Sequence, residues 1–192
     1  MRVIFYPRPG GGSRATLFRA DRVVLELRSY DRKWRVPHDL AHAVAERELG
    51  ISAGVFGCLA AGALFSSVRV VEGRLRHDAR ARGERIVSAN ARGIARAEIM
   101  AGALHHAVEH HHPVTGARAA WGSVEESEFP YRETDLARAA AELTRLAGAW
   151  SRLDAGAGLE FEWPERLTAT VTAPRAGARA PRARPKGRRR LR

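Results

Sequence analysis

"MRVIFYPRPGGGSRATLFRADRVVLELRSY", residues 1–30, decides the fold. Val3 and Phe5 fall on one face of an extended segment. Val23, Leu25 and Leu27 alternate with Val24, Glu26 and Arg28. Successive side chains of a strand point to opposite faces, so this period of two predicts strands with one buried face. "PGGGS" supplies a flexible turn, and "ADR" a tight hairpin between the second and third strands. Near the other end, "GLEFEWPERLTATV" returns to the same pattern, with Leu159, Phe161 and Trp163 on one face. The expectation is an antiparallel sheet built from N- and C-terminal strands.

The residues between read as helices. Pro37 suits a first turn, and a helix runs to about Leu49 on the stripe Leu40, Ala41, Val44, Ala45 and Leu49, with Gly50 as its C-terminal cap. A short, almost wholly apolar helix covers about 54–64. A long one runs from about Ser88 to His111 and stops before Pro113; Ile94, Ala97, Ala101, Leu104 and Val108 are its core stripe. The last, Glu133 to Trp150, carries Leu136, Leu143, Leu146 and Trp150 at helical spacing. Residues 66–85 hold a short strand in "VRVVEG" and a polar, Arg-rich run of no clear period. The class is α+β, one domain over 1–171, with three to four helices against the sheet.

The chain has 192 residues, 45% of them hydrophobic, enough to bury a core without disulfides. Its net charge is +12, but the segment 172–192 holds eight Arg, one Lys and no acid, leaving +3 on the rest. That basic, Pro-rich tail has too little apolar surface to offset its ordering entropy and reads as disordered. It can attract nucleic acid or an acidic partner through charge, yet has no aromatic residue for base stacking. Only Lys33 and Lys186 are lysines, so the arginine excess also reads as a coding bias. Cys58 is the single cysteine, which excludes an internal disulfide and a Cys-rich zinc site. The apolar run from Val55 to Phe65 is too short to span a bilayer, and no signal segment is visible. The expected location is the cytoplasm, with no membrane partner.

The chemistry concentrates in "VPHDLAHAVAERELG", residues 36–50. On a helix, His38, His42 and Glu46 fall at roughly 0°, 40° and 80°, one stripe beside the apolar face. Two imidazoles at i and i+4 grip one divalent ion, zinc being the expected one, and a carboxylate a turn later ligates or orients. The alternative is plain: Asp39 complements the helix dipole, and the histidines pack at a cleft edge.

The pattern resembles the His-Glu-x-x-His helix of zinc metalloproteases, with Asp39 in the glutamate position. That resemblance implies a hydrolase in which Asp39 is the general base on ion-activated water, although Asp is one methylene shorter. The longer stretch "HDLAHAVAERELGISAGVFGCLAAG", residues 38–62, also resembles the motif of a family of uncharacterised bacterial proteins. In that motif His-Asp-Leu-x-His is followed by an acid and a Gly-x-Phe-Gly-x-Leu-Ala segment. His38, Asp39, Leu40, His42, Glu46, Gly54, Phe56, Gly57, Leu59 and Ala60 match it. It implies a small α+β protein with its functional centre here.

A further ligand must come from elsewhere, and "AEIMAGALHHAVEHHHP" is the source. Glu98, His105, Glu109 and His112 share one helix face. If this helix packs beside the first, Glu98, His105 or Glu109 completes the site: Glu98 is more central, and His105 has the better ligand chemistry. The neighbouring His106 and His110 form another i, i+4 pair, and "EHHHP" otherwise reads as a solvated helix end. "PRPGGGSR" lacks the Gly-Lys-Ser/Thr ending of a phosphate loop, and Ser66, Ser67 and Ser123 lack a nucleophile-elbow context. Two readings stand: a metal-binding protein, with hydrolysis as the activity the protease resemblance implies, or a non-enzymatic binding module whose tail contacts nucleic acid or an acidic partner.

Overall fold

The computed structural model describes residues 1–29, 33–123 and 128–171. The basic tail lies outside the described residues. Five strands, β1 (Arg2–Pro7), β2 (Ser13–Phe18), β3 (Val24–Ser29), β4 (Val68–Glu72) and β5 (Leu159–Glu162), form one antiparallel sheet in the order β4-β3-β2-β1-β5. The alternation in residues 1–30 is what the register uses. Phe161, Val3, Leu17, Leu25 and Val70 align across the strands, as do Leu159, Phe5, Ala15, Leu27 and Val68. Both rows belong to the main core, with Val68 and Val70 of the edge strand partly buried against it. On the other face Glu26 is ringed by Arg28, Arg69 and Arg14 at 2.6, 3.1 and 3.8 Å. The turn between β1 and β2 places Gly10, Gly11 and Gly12 at positive φ, a conformation that costs glycine little.

Among the described residues there are six α-helices: α1 (His38–Glu48), α2 (Val55–Ala61), α3 (Ala79–Ala89), α4 (Ala91–Glu109), α5 (Ala117–Gly122) and α6 (Glu133–Trp150). α1 is central, packed along α4 and α6. Leu40, Ala41, Val44 and Ala45 are completely buried on it. Gly50 takes φ 70° and the Ile51 amide returns to the Glu46 carbonyl at 2.8 Å, which ends α1 where the glycine was expected to end it.

Two expectations change. The helix expected over 88–111 is α4 and starts at Ala91 rather than Ser88, because Asn90 separates it from α3. Its side-chain amide donates to the Ile86 carbonyl at 2.8 Å and to the Thr170 carbonyl at 3.2 Å. An Asn side chain that takes an i−4 carbonyl competes with the backbone for it. The Arg-rich run before it folds as α3, anchored by the fully buried Ile86. α2 is also shorter than 54–64, since Gly62 turns left-handed at φ 114°. Among the described residues no helix is long and apolar enough to cross a membrane.

Candidate metal centre

α1 begins at Pro37, whose carbonyl accepts from the Leu40 and Ala41 amides at 3.0 and 3.2 Å. Its i, i+4 spacing then sets His38 and His42 in edge contact, with ring centroids 4.9 Å apart. Because α4 packs along α1, Glu98 from its first half arrives between them. One carboxylate oxygen lies 3.2 Å from His38 Nε2 and the other 2.8 Å from His42 Nε2. One ligand atom from each of the three residues lies within 4.8 Å of the other two, so the group could hold a metal ion. A tetrahedral zinc ion with bonds of about 2.0–2.2 Å sets its donors about 3.4 Å apart, which these separations approach.

The opposite edge of each ring is held from behind. His105 Nε2 donates to the Val36 carbonyl at 2.9 Å. A carbonyl only accepts, so a neutral His105 carries its proton on Nε2 and its Nδ1 is a bare acceptor. His38 Nδ1, 3.3 Å away, must then donate to it, leaving the lone pair of His38 Nε2 free towards Glu98. His42 Nδ1 faces Glu46 Oε1 at 3.4 Å, which likewise frees His42 Nε2. Two imidazole lone pairs therefore converge on a carboxylate. That arrangement is repulsive unless a cation, a proton or a metal ion, lies between.

The electrostatics agree. Burial works against a charged His42, yet its hydrogen bonds to Glu46 and Glu98 push its pKa up to about 9. Hydrogen bonds from His38 and His42 hold the Glu98 carboxyl well below the usual range. Both shifts favour a charged pair, protonated His42 beside ionised Glu98.

Glu46 is fully buried. It does more than steady a ring. Oε1 accepts from the Val55 amide at 2.9 Å, and Oε2 from the Phe56 and Gly57 amides at 2.9 and 3.4 Å. These are the free N–H groups at the start of α2, which has no other side-chain cap. Burial raises the Glu46 pKa, opposed by His42 and these amides. Only the ionised carboxylate satisfies all four donors at once. Gly54 makes room for it: a Cβ there would sit 2.3 Å from Glu46 Cδ.

Of the residues expected as ligands, His38, His42 and Glu98 meet at one point. Glu46 and His105 do not join them; each stands on the far nitrogen of a ligand histidine, the position from which such groups orient a metal-bound imidazole. The reason is competition. Glu46 oxygens are occupied by backbone amides, and the His105 ring is claimed by Val36. Glu109, the other alternative, accepts from the Val36 amide at 2.7 Å and from Arg35 at 3.2 Å.

Asp39 lines a cavity of about 330 Å³ together with His38, His42 and Glu98; Phe56, Phe65 and Ile94 add apolar wall, and Ser66 and Ser67 add hydroxyls. Its Oδ2 is enclosed and has no hydrogen-bond partner among the described residues. Burial raises its pKa, while His42 and His38 pull it down. Ser66 and Ser67 have no nucleophile-elbow context in the sequence. Their place on the rim follows from β4 pairing with β3, a long-range contact that no local pattern records. Comparison of the chain with family models, curated proteins and solved structures found no match to any of them.

Proposed function

We propose that the protein binds one divalent ion, zinc by its donor set, through His38 Nε2, His42 Nε2 and the Glu98 carboxylate, and that it is a hydrolase. The convergence of those three groups, each histidine steadied from behind, carries the reading. Two histidines and one glutamate are a set used by catalytic zinc sites, which keep a further position open. A cavity at the cluster gives that position access to a substrate. When bound, the ion would supply Lewis acidity towards water and a substrate carbonyl or phosphoryl oxygen.

The chain's own groups would divide the remaining work. Glu46 and His105 keep the ligand rings in the tautomer that offers Nε2. Asp39 sits beside the first ligand and takes a proton from the attacking water, a role its raised pKa suits. Phe56, Phe65 and Ile94 hold the reacting part of the substrate away from bulk water.

The test is metal analysis of the full chain without an affinity tag after dialysis against zinc. The central site is expected to hold one equivalent, lost in the double variant His38→Ala with His42→Ala. Substrate-class panels with zinc-loaded protein should then show hydrolysis that Asp39→Asn abolishes while zinc is retained. Metal uptake that is not reduced by loss of both histidines overturns the site. Full hydrolysis by Asp39→Asn overturns the role of Asp39.

A further inference from the structure

A second histidine group stands at the far end of α4. His106 and His110 lie one turn apart where the helix closes, and His112 follows just beyond. All three are exposed. Their ring centroids are 4.4 Å (106 to 110), 5.2 Å (106 to 112) and 5.7 Å (110 to 112) apart. The backbone produces this gathering. His111 takes the left-handed conformation at φ 55°, and the His112 amide returns to the Ala107 carbonyl at 3.0 Å. Such a helix ending commonly sets an apolar residue against the last turns. Here it sets imidazole against imidazole. His111 is turned elsewhere, its Nε2 3.1 Å from Arg35 Nη2.

We infer that His106, His110 and His112 form a second site, separate from the centre at His38, for a divalent transition ion. Three imidazoles on one tetrahedral ion at about 2.0–2.1 Å place their ring centres about 5 Å apart. The three observed spacings bracket that figure. The His110 and His112 rings are stacked, with 15° between their planes, so their nitrogens converge only after rotation about Cβ–Cγ. That torsion is broad, and exposed side chains rotate readily, so the backbone can stay in place.

The helix favours the ion. The C-terminal end of α4 carries partial negative charge, which stabilises a cation. The centre at His38 occupies the positive end of α1 and needs Glu98 to offset it. An all-imidazole set prefers copper, nickel and zinc to magnesium and calcium. A cavity of about 400 Å³, lined by His106 and His112 and, two turns back along α4, by Glu98, leaves the remaining coordination position to water or an incoming ligand.

Titration of the untagged full chain with nickel or zinc tests this. The native chain is expected to take up two equivalents with affinities in the micromolar range or tighter. The variant His106→Ala with His110→Ala should retain one equivalent and its thermal transition, because both residues are exposed. The variant His38→Ala with His42→Ala should also retain one, now removed by adding the His106 and His110 changes. Uptake that is unchanged by His106→Ala with His110→Ala overturns the second site, as does uptake there only at millimolar ion. Neither result bears on the central site, whose own loss is read from the His38 and His42 changes.

Discussion

Replacing Glu46 should damage fold and site together, in proportions the structure specifies. In Glu46→Ala the amides of Val55, Phe56 and Gly57 lose their acceptor at a fully buried position. An unsatisfied buried donor costs about 1–3 kcal/mol. The Gly57 bond is long at 3.4 Å and contributes least, so the sum is about 3–6 kcal/mol. For a protein of this size each kcal/mol moves the melting temperature by about 2–4 °C, giving a fall of roughly 6–24 °C. Glu46→Gln keeps the volume but turns an NH2 towards donors, and should lose about half as much. It also removes the charged partner of His42 Nδ1, and loss of such a support lowers metal affinity by about 10–100-fold. Thermal melting by circular dichroism and zinc titration by competition with a chelator measure the two effects. A Glu46→Ala chain melting within about 2 °C of the native one would refute the capping argument. Unchanged zinc affinity in Glu46→Gln would refute the support argument.

His105→Ala removes the acceptor for His38 Nδ1 without touching a ligand, so zinc affinity at the central site should fall about 10–100-fold while that equivalent still binds at saturation; loss of the central equivalent would instead make His105 a ligand. His42 is held at about 9 in the folded, ion-free chain, against about 6.5 unfolded, so its charged form favours folding below pH 6.5 and that contribution disappears as pH rises to 9. Metal-free protein should therefore melt lower at pH 9 than at pH 6.5, while zinc affinity climbs over the same interval because binding expels that proton; pH-independent affinity there contradicts a protonated His42. A chain ending at Val171 should melt like the full chain, since the last described contacts, the Ala169 amide on Gly57 and the Thr170 carbonyl on Asn90, are retained. Its binding to nucleic acid at low salt should be weaker than that of the full chain, whose binding should fall steeply with salt; equal binding removes the tail from that role.

The sheet was legible because Val3, Phe5, Leu25 and Leu27 repeat every second residue and their partners lie in adjacent hairpins. The histidine pair was legible for a similar reason: i, i+4 on a helix is local geometry. Glu98 could be named as a candidate but not chosen over His105 or Glu109. All three share a face of α4, and only the way α1 crosses that face decides which of them meets two Nε2 atoms. The same limit explains Glu46. Nothing local distinguishes a carboxylate aimed at an ion from one aimed at the amides of a helix nine residues on. Asn90 precedes the stripe Ile94, Ala97, Ala101, Leu104 and Val108, so that periodicity marks the helix without fixing its first residue.

The shared use of Glu46 has a consequence for transplantation. Helix 38–48 moved alone onto another scaffold would carry His38 and His42 but neither of the groups that fix their tautomers. The smallest portable unit is a discontinuous one, residues 36–57 with residues 98–109. It must bring the start of α2 as a counterweight to Glu46, Gly54 to clear its carboxylate, and the Val36 carbonyl to set the proton on His105. A graft of the two histidines and Glu98 without these would reproduce the donor list and forfeit the pre-set lone pairs.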